Sequence, residues 1–249
     1  MNAFPGRPRV SLIIPAYNEE TYLPRLLDTV DAARARYAAG AEGVEVIVAD
    51  NDSSDRTAEV ARRRGCRVAR VEKRVIGAAR NGGAAVARGE ILAFVDADFR
   101  IHPDTFGAIE RALASPEAVG GATGATMERM SPGIAGIYAV LMILVWTTRM
   151  DTGVVFCRKE DFETVGGYDE DMLYAEDVRF LLKLRRLGKR RRQGLVRATA
   201  AKAIASARKF DSHGDWHYFT LIARSFWWYF FSPEKIDRFA REYWYHPPR

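Results

Sequence analysis

Two aspartates, Asp96 and Asp98, flank Ala97 directly after the apolar run Ile91-Leu92-Ala93-Phe94-Val95. Residues two apart on a strand share a face, so the pair sets two anionic oxygen donors side by side where a strand stops. That is half a site for a hard divalent cation, which takes oxygen ligands and completes its shell with water and phosphate oxygens. The chemistry it suggests is the holding of a metal-bound diphosphate. The competing reading of the same pair is a solvated acidic turn.

The elements that must position these acids can be read from the first half of the chain. Apolar runs at Val10–Ile14, Val44–Val48, Val68–Val71 and Ile91–Val95 alternate with the Ala-, Arg-, Leu- and Glu-rich segments Glu19–Tyr37, Asp55–Arg64 and Ala78–Ala87. A β-α-β-α-β-α-β series predicts a mostly parallel sheet with right-handed crossovers, and ligands bind such sheets outside the carboxyl ends of their strands. The residues following each run therefore share one rim: Pro15-Ala16-Tyr17-Asn18-Glu19, then Asp50 and Asn51, then Lys73-Arg74 with Gly77, then Asp96-Ala97-Asp98. Helix capping competes for Ser53, Ser54 and Asp55. It fits Asp50 less well, because Asp50 stands directly at a strand end, where a carboxylate can accept a base N–H or a ribose hydroxyl. Gly77-Ala78-Ala79-Arg80-Asn81 brings small residues and a guanidinium to a helix start, a place where phosphate can be met.

Composition bounds the answer. With 249 residues, 48% hydrophobic and 28% charged, the chain can bury a sizeable core as one domain or one domain with an appendage. Its net charge of +6 favours an anionic partner, and nucleotide phosphates or an anionic membrane surface satisfy it as well as nucleic acid. The two cysteines form no metal-ligand spacing, and no apolar leader opens the chain, so a reduced cytoplasmic protein is expected. A glycine-rich dinucleotide turn and a P-loop are both missing.

Val10-Ser11-Leu12-Ile13-Ile14-Pro15-Ala16-Tyr17-Asn18-Glu19-Glu20, Val48-Ala49-Asp50-Asn51-Asp52-Ser53-Ser54-Asp55-Arg56-Thr57, Gly77-Ala78-Ala79-Arg80-Asn81 and Phe94-Val95-Asp96-Ala97-Asp98 resemble successive motifs of the family 2 glycosyltransferases. Val165-Gly166-Gly167-Tyr168-Asp169-Glu170 and Ala175-Glu176-Asp177-Val178 resemble the family's later segments. The resemblance implies a GT-A fold: a Rossmann-like, mostly parallel sheet flanked by helices, here with an aromatic-rich helical C-terminal extension. It divides the chain into a domain over 1–210, with a nucleotide-binding half at about 9–120 and an acceptor half at about 121–210, and a tail over 211–249 that packs on the domain, on a partner subunit or on a membrane.

The implied roles follow by position. Asp96 and Asp98 would hold Mn2+ or Mg2+ on the donor diphosphate, with His213 as a third ligand. Pro15, Ala16, Tyr17 and Glu19 would line the nucleoside, and Asp50 and Asn51 would hold the base. Gly77, Arg80, Ala97, Thr152, Gly153 and Arg208 would contact the rest of the donor. An inverting transferase needs a general base across the sugar from the leaving group, and Asp177 matches it, with Glu176 beside it positioning the acceptor or the metal's waters. The competing role for both acids is to favour the positive end of the helix that follows.

The expected donor is a UDP-sugar, with a GDP-sugar as the alternative. The expected acceptor is a hydroxyl on a saccharide or a lipid-linked molecule. No nucleic-acid partner is expected, and a homodimer is compatible with the aromatic tail. The apolar stretch Gly133–Trp146 is too short to span a bilayer and predicts a buried or interfacial helix. The tail's aromatics and interleaved basic residues suit contact with an anionic membrane, at its inner face, and equally suit packing against the core or a second subunit. Two further readings stand beside the transferase: a non-catalytic nucleotide-sugar binding or membrane scaffold protein, and a D-x-D phosphatase.

Overall fold

The computed structural model describes residues 7–148, 150–173, 175–216 and 219. β1 (Val10–Ala16), α1 (Leu23–Arg36), β2 (Val44–Asp50), α2 (Thr57–Arg63), β3 (Arg67–Arg70), α3 (Ile76–Val86) and β4 (Ile91–Phe94) alternate as the apolar pattern predicts. They are followed by α4 (Thr105–Ala114), β5 (Ala118–Ala122), β6 (Ala125–Met127), α5 (Pro132–Thr148), β7 (Val155–Arg158), α6 (Lys159–Thr164), α7 (Glu176–Arg191), β8 (Gly194–Arg197), β9 (Ala203–Ala205) and α8 (Arg208–His213).

The main sheet has seven strands in the order β3-β2-β1-β4-β7-β5-β8. β1 pairs in parallel with β2 on one side and β4 on the other, and all seven of its residues are buried, as expected of a central strand covered on both faces. β7 runs antiparallel to both β4 and β5, and β8 returns parallel to β5. The carboxyl ends of β1, β2, β3 and β4 therefore do share one rim. β6 and β9 form a separate parallel pair.

Alternation along β1 sorts the core into two layers. Leu12 and Ile14 face α1 and α4 with Leu23, Leu26, Val30, Phe106 and Ile109, whereas Ile13 faces the opposite layer with Leu92, Phe94, Phe162, Phe180 and Leu184. Full burial of each such side chain stabilises the fold by about 1.5–3 kcal/mol. α3 lies close on this second layer because its inward residues are small: a Cβ at Gly83 would come within 2.5 Å of Ile13 Cγ2.

Two glycines play parts that the sequence pattern does not reveal. Gly188 looks like a helix stop, yet α7 continues to Arg191 and ends at Arg192, whose φ of 59° is left-handed. Gly188 is needed inside the helix because a Cβ there would sit 2.8 Å from Gln193 O and 2.9 Å from Val119 Cγ1. The run Lys189–Arg192 is exposed at the negative end of the helix, a solvated and dipole-compensating role. At Gly121 in β5 a Cβ would overlap the Val196 carbonyl oxygen of β8. Gly121→Ala is therefore expected to push β8 off the sheet and lower stability by about 1–3 kcal/mol, read as a reduced urea midpoint.

Candidate active site

β1 ends in Pro15 and Ala16, paired with Ala49 and Asp50 of β2, and Asn51 N donates to Ala16 O at 2.8 Å. Asn18 then takes a left-handed φ of 53°, which Asn tolerates. Its Oδ1 accepts the Ser54 N–H at 2.8 Å, and its own N–H donates to Ser53 Oγ. These bonds lock the β1 and β2 exits together, a function the sequence reading did not assign to Asn18. Asp50 is buried and accepts the Ser53 N–H. Asp55 accepts the Thr57 N–H at 2.9 Å, a local turn just before α2. The Arg74 guanidinium lies 5.0 Å over the Tyr17 ring.

Asn51 differs from expectation. Its Nδ2 donates to Val71 O and Lys73 O, at 3.1 and 2.7 Å, so the amide is spent on holding the β3 exit rather than directed at a base. Gly77 differs too: a Cβ there would sit 2.9 Å from Asp169 O, so the glycine permits a close approach of helix and loop rather than a phosphate cradle.

Arg80 departs most. Its side chain is only 3% exposed, and it is ringed by carboxylates rather than open to phosphate. NH1 reaches Glu176 Oε1 at 2.6 Å and Asp177 Oδ1 at 3.0 Å, and NH2 reaches Asp96 Oδ1 at 2.8 Å. Its guanidinium also lies 5.0 Å over the Tyr168 ring. Although burial opposes the charge, these acids hold Arg80 firmly cationic.

The loop bearing Tyr168 is tied down by Asn81, which donates from Nδ2 to Tyr168 O and accepts the Tyr168 N–H, both at 2.9 Å. Lys183 and Arg179 of α7 pair with Asp169 and hold its carboxyl below the usual range. Ala175, at a left-handed φ of 56°, then turns the chain into α7, whose first two residues are Glu176 and Asp177. A non-glycine residue held there costs energy that the surrounding structure must supply. The sequence signal for this role of Asn81 is its low helix propensity inside a helix.

Asp177 has its Oδ1 buried against Arg80, while its side chain as a whole is 34% exposed. Burial pushes its carboxyl up to about 6, Arg80 opposes the rise, and Glu176 and Asp96 add to it. An acid with that value is ionised at pH 7 yet basic enough to accept a proton.

Asp98 lies 2.9 Å from Arg208 Nε, and the other face of that guanidinium is bound twice by Glu19, at 2.7 and 2.9 Å. Arg208 also sits 4.8 Å over the Tyr22 ring. Burial raises the Asp98 carboxyl and Asp96 adds to the rise, so the guanidinium does not fully offset the negative charge collected here. Hard oxygen donors short of positive charge fit a divalent cation. Among the described residues no group of three or more His, Cys, Asp or Glu is arranged to hold a metal, so such a cation would draw further ligands from diphosphate and water. The side chain of His213 lies outside the described residues, as does nearly all of the aromatic tail.

Ala97 is buried behind the two acids. Thr152 and Gly153 form a tight crossing with Gly124, whose N–H donates to Thr152 O at 2.9 Å. Gly153 has a φ of 86°, and a Cβ there would overlap Gly124 O. Asp151, buried next to them, pairs with Arg197 of β8 at 2.7 Å, an anchor that the sequence reading missed.

A family model described as glycosyl transferase family 2 matches residues 11–130. Over that span the chain is similar to glycosyl transferase family 2. Among curated relatives, the chain is 40% identical over 100 residues to the 4,4'-diaponeurosporenoate glycosyltransferase of Staphylococcus haemolyticus, covering 37% of the chain and 25% of that protein. It is 36% identical over 119 residues to the undecaprenyl-phosphate 4-deoxy-4-formamido-L-arabinose transferase of Pseudomonas paraeruginosa, covering 45% and 34%. The matched parts thus span about a quarter to a third of these relatives' lengths.

Among solved structures, the mannosyltransferase PcManGT from Pyrobaculum calidifontis, in complex with GDP-Man and Mn2+, superposes with a TM-score of 0.62 at 24% identity, over 80% of this chain and 56% of that one. TarS residues 1–349 of S. aureus in complex with UDP-GlcNAc gives 0.61 at 20% identity, over 80% and 58%. The fold is GT-A, a mostly parallel seven-stranded sheet flanked by helices.

Proposed function

We propose that this protein transfers a sugar from a nucleotide diphosphate to an acceptor hydroxyl, with inversion at the anomeric carbon. One observation carries the reading: Asp96 after β4 and Asp177 at the start of α7, distant in sequence, are bound to the same Arg80 guanidinium, so donor clamp and base share one cluster. The β1 and β2 exits, with Pro15, Ala16, Tyr17, Glu19 and Asp50, take the nucleoside. Asp98 and Asp96 would hold a divalent cation, which would supply charge neutralisation for the departing diphosphate. Asp177 takes the proton from the acceptor hydroxyl; its oxygen bonds to the anomeric carbon as the bond from that carbon to the diphosphate breaks. Glu176, held by Arg80, keeps the base in place. Neighbours bound to UDP, UDP-GlcNAc and GDP-Man support a nucleotide-sugar donor.

The test is incubation with a panel of UDP- and GDP-sugars and Mn2+, following released nucleoside diphosphate. Release that requires an acceptor supports the transferase; binding without release supports a scaffold protein; metal-dependent phosphate release from simple phosphomonoesters supports the D-x-D phosphatase.

A second reading concerns where the acceptor resides. α5 is 17 residues long without a charged side chain; Ile134, Ile137 and Val145 pack inward, whereas Val140, Ile143 and Trp146 are 52%, 67% and 80% exposed. No helix among the described residues is long and apolar enough to cross a membrane. An uncharged exposed face on a chain of net charge +6 suits an anionic membrane surface, and it fits a lipid-linked acceptor of the kind named in the undecaprenyl-phosphate relative. Ile143→Glu with Trp146→Glu is expected to abolish sedimentation with anionic vesicles while leaving nucleotide binding intact. Equal sedimentation of variant and parent would refute membrane docking by α5.

A further inference from the structure

Asp177 is faced by Arg80 from α3, Glu176 from α7 itself, Asp96 from the β4 exit and Tyr168 from the loop after α6. Three carboxylates share a single guanidinium: NH1 is divided between Glu176 and Asp177, NH2 is given to Asp96, and Nε has no hydrogen-bond partner among the described residues. The exposures differ along this chain of contacts. The Asp96 side chain is 39% exposed and open to an incoming cation or phosphate, whereas Arg80 is enclosed.

We infer that Arg80 is a positioning residue that couples the two halves of the site: it shares its charge between Asp96 and Asp177, so that neutralising Asp96 from the donor side makes Asp177 easier to ionise. A like charge close by disfavours ionisation and an opposite one favours it. While Asp96 is a free carboxylate, it both repels the Asp177 charge and holds half of the guanidinium. Once donor-side positive charge occupies Asp96, the repulsion is screened and Arg80 turns toward the acids of α7. The base is thus readied by donor binding, which orders the reaction without a moving lid.

The coupling rests on the reading of Asp177 as the base, but its first test requires no transfer. In metal-free protein with carbon-13-labelled aspartate, the Asp177 signal is identified by its loss in Asp177→Asn, and its titration midpoint is followed by NMR. Asp96→Asn, at an exposed position, is expected to move that midpoint down by about tenfold in proton concentration. Arg80→Gln is expected to move it up, and Arg80→Lys to restore part of the difference. Should Arg80→Gln fail to fold, Asp96→Asn and Arg80→Lys still decide the matter. An Asp177 midpoint that stays in place in Asp96→Asn overturns the coupling.

The kinetic arm separates the two claims. In the wild type the acid limb of kcat should lie at lower pH than that of kcat/KM, because the first reports the donor-bound complex and the second the free enzyme. In Arg80→Lys the limbs should converge. A moved midpoint in a protein without transferase activity would sink the proposed function and support the coupling. Transfer with coincident limbs in the wild type would overturn the coupling and leave the function standing.

Discussion

Asp177→Asn is expected to lower kcat by about 10²–10⁴-fold, the usual contribution of a positioned general base, while the affinity for nucleoside diphosphate stays within a few-fold of the parent. The amide keeps the shape of the side chain but cannot take the acceptor's proton. In the parent, kcat/KM should fall tenfold per pH unit below about 6, where burial has moved the Asp177 carboxyl, and level off above it. The stability sign runs the other way. A carboxyl raised from 3.8 to about 6 on folding binds its proton more tightly in the folded state, so it costs stability as pH rises through that window and the cost is full above it. The variant should therefore melt no lower than the parent at pH 7. Parent-level transfer by Asp177→Asn, measured as released nucleoside diphosphate, would remove this residue from the mechanism.

Asp98→Asn should give the second large effect: loss of divalent-dependent donor binding, with transfer falling below detection. At about 100 times its dissociation constant, a ligand adds roughly 2.7 kcal/mol to stability, an easily read thermal shift. With UDP or GDP, the parent should show that shift only when Mn2+ is present, and the variant should show none. The unliganded variant should fold normally, because burial already works against the Asp98 charge and Asn spares that cost. An unchanged, Mn2+-dependent shift in the variant would place the cation elsewhere.

Much of this site was legible in the sequence because it depends on strand ends. Apolar runs of β-prone residues announce β1, β2 and β4, and the alternation of runs and helices fixes parallel pairing, so Asp50, Asp96 and Asp98 fall on one rim without any knowledge of contacts. What could not be read is how polar side chains choose partners. Asn51 has the residue type to read a base, but the exit of β3 offers its amide two backbone carbonyls first. Arg80 has the residue type and the place, near a helix start, to meet phosphate, but α3 is rich in glycine and alanine and settles close enough to the sheet to enclose it. Likewise the antiparallel direction of β7, between β4 and β5, has no local signature, since its three buried residues, Val155, Phe156 and Cys157, suit a strand of either direction.

That inserted strand also sets the order in which the protein can be completed on the ribosome. β3, β2, β1 and β4 have all their mutual partners by Phe94, so this half of the sheet can close while the remainder is still being synthesised. β5 emerges with both its neighbours, β7 and β8, still to come. Its backbone groups must wait, unpaired, for some 30 residues or more of further synthesis, a matter of seconds at about 5–20 residues per second. Nascent chains halted before β7 should thus protect the first four strands from proteolysis and leave the segment from β5 onward open to it.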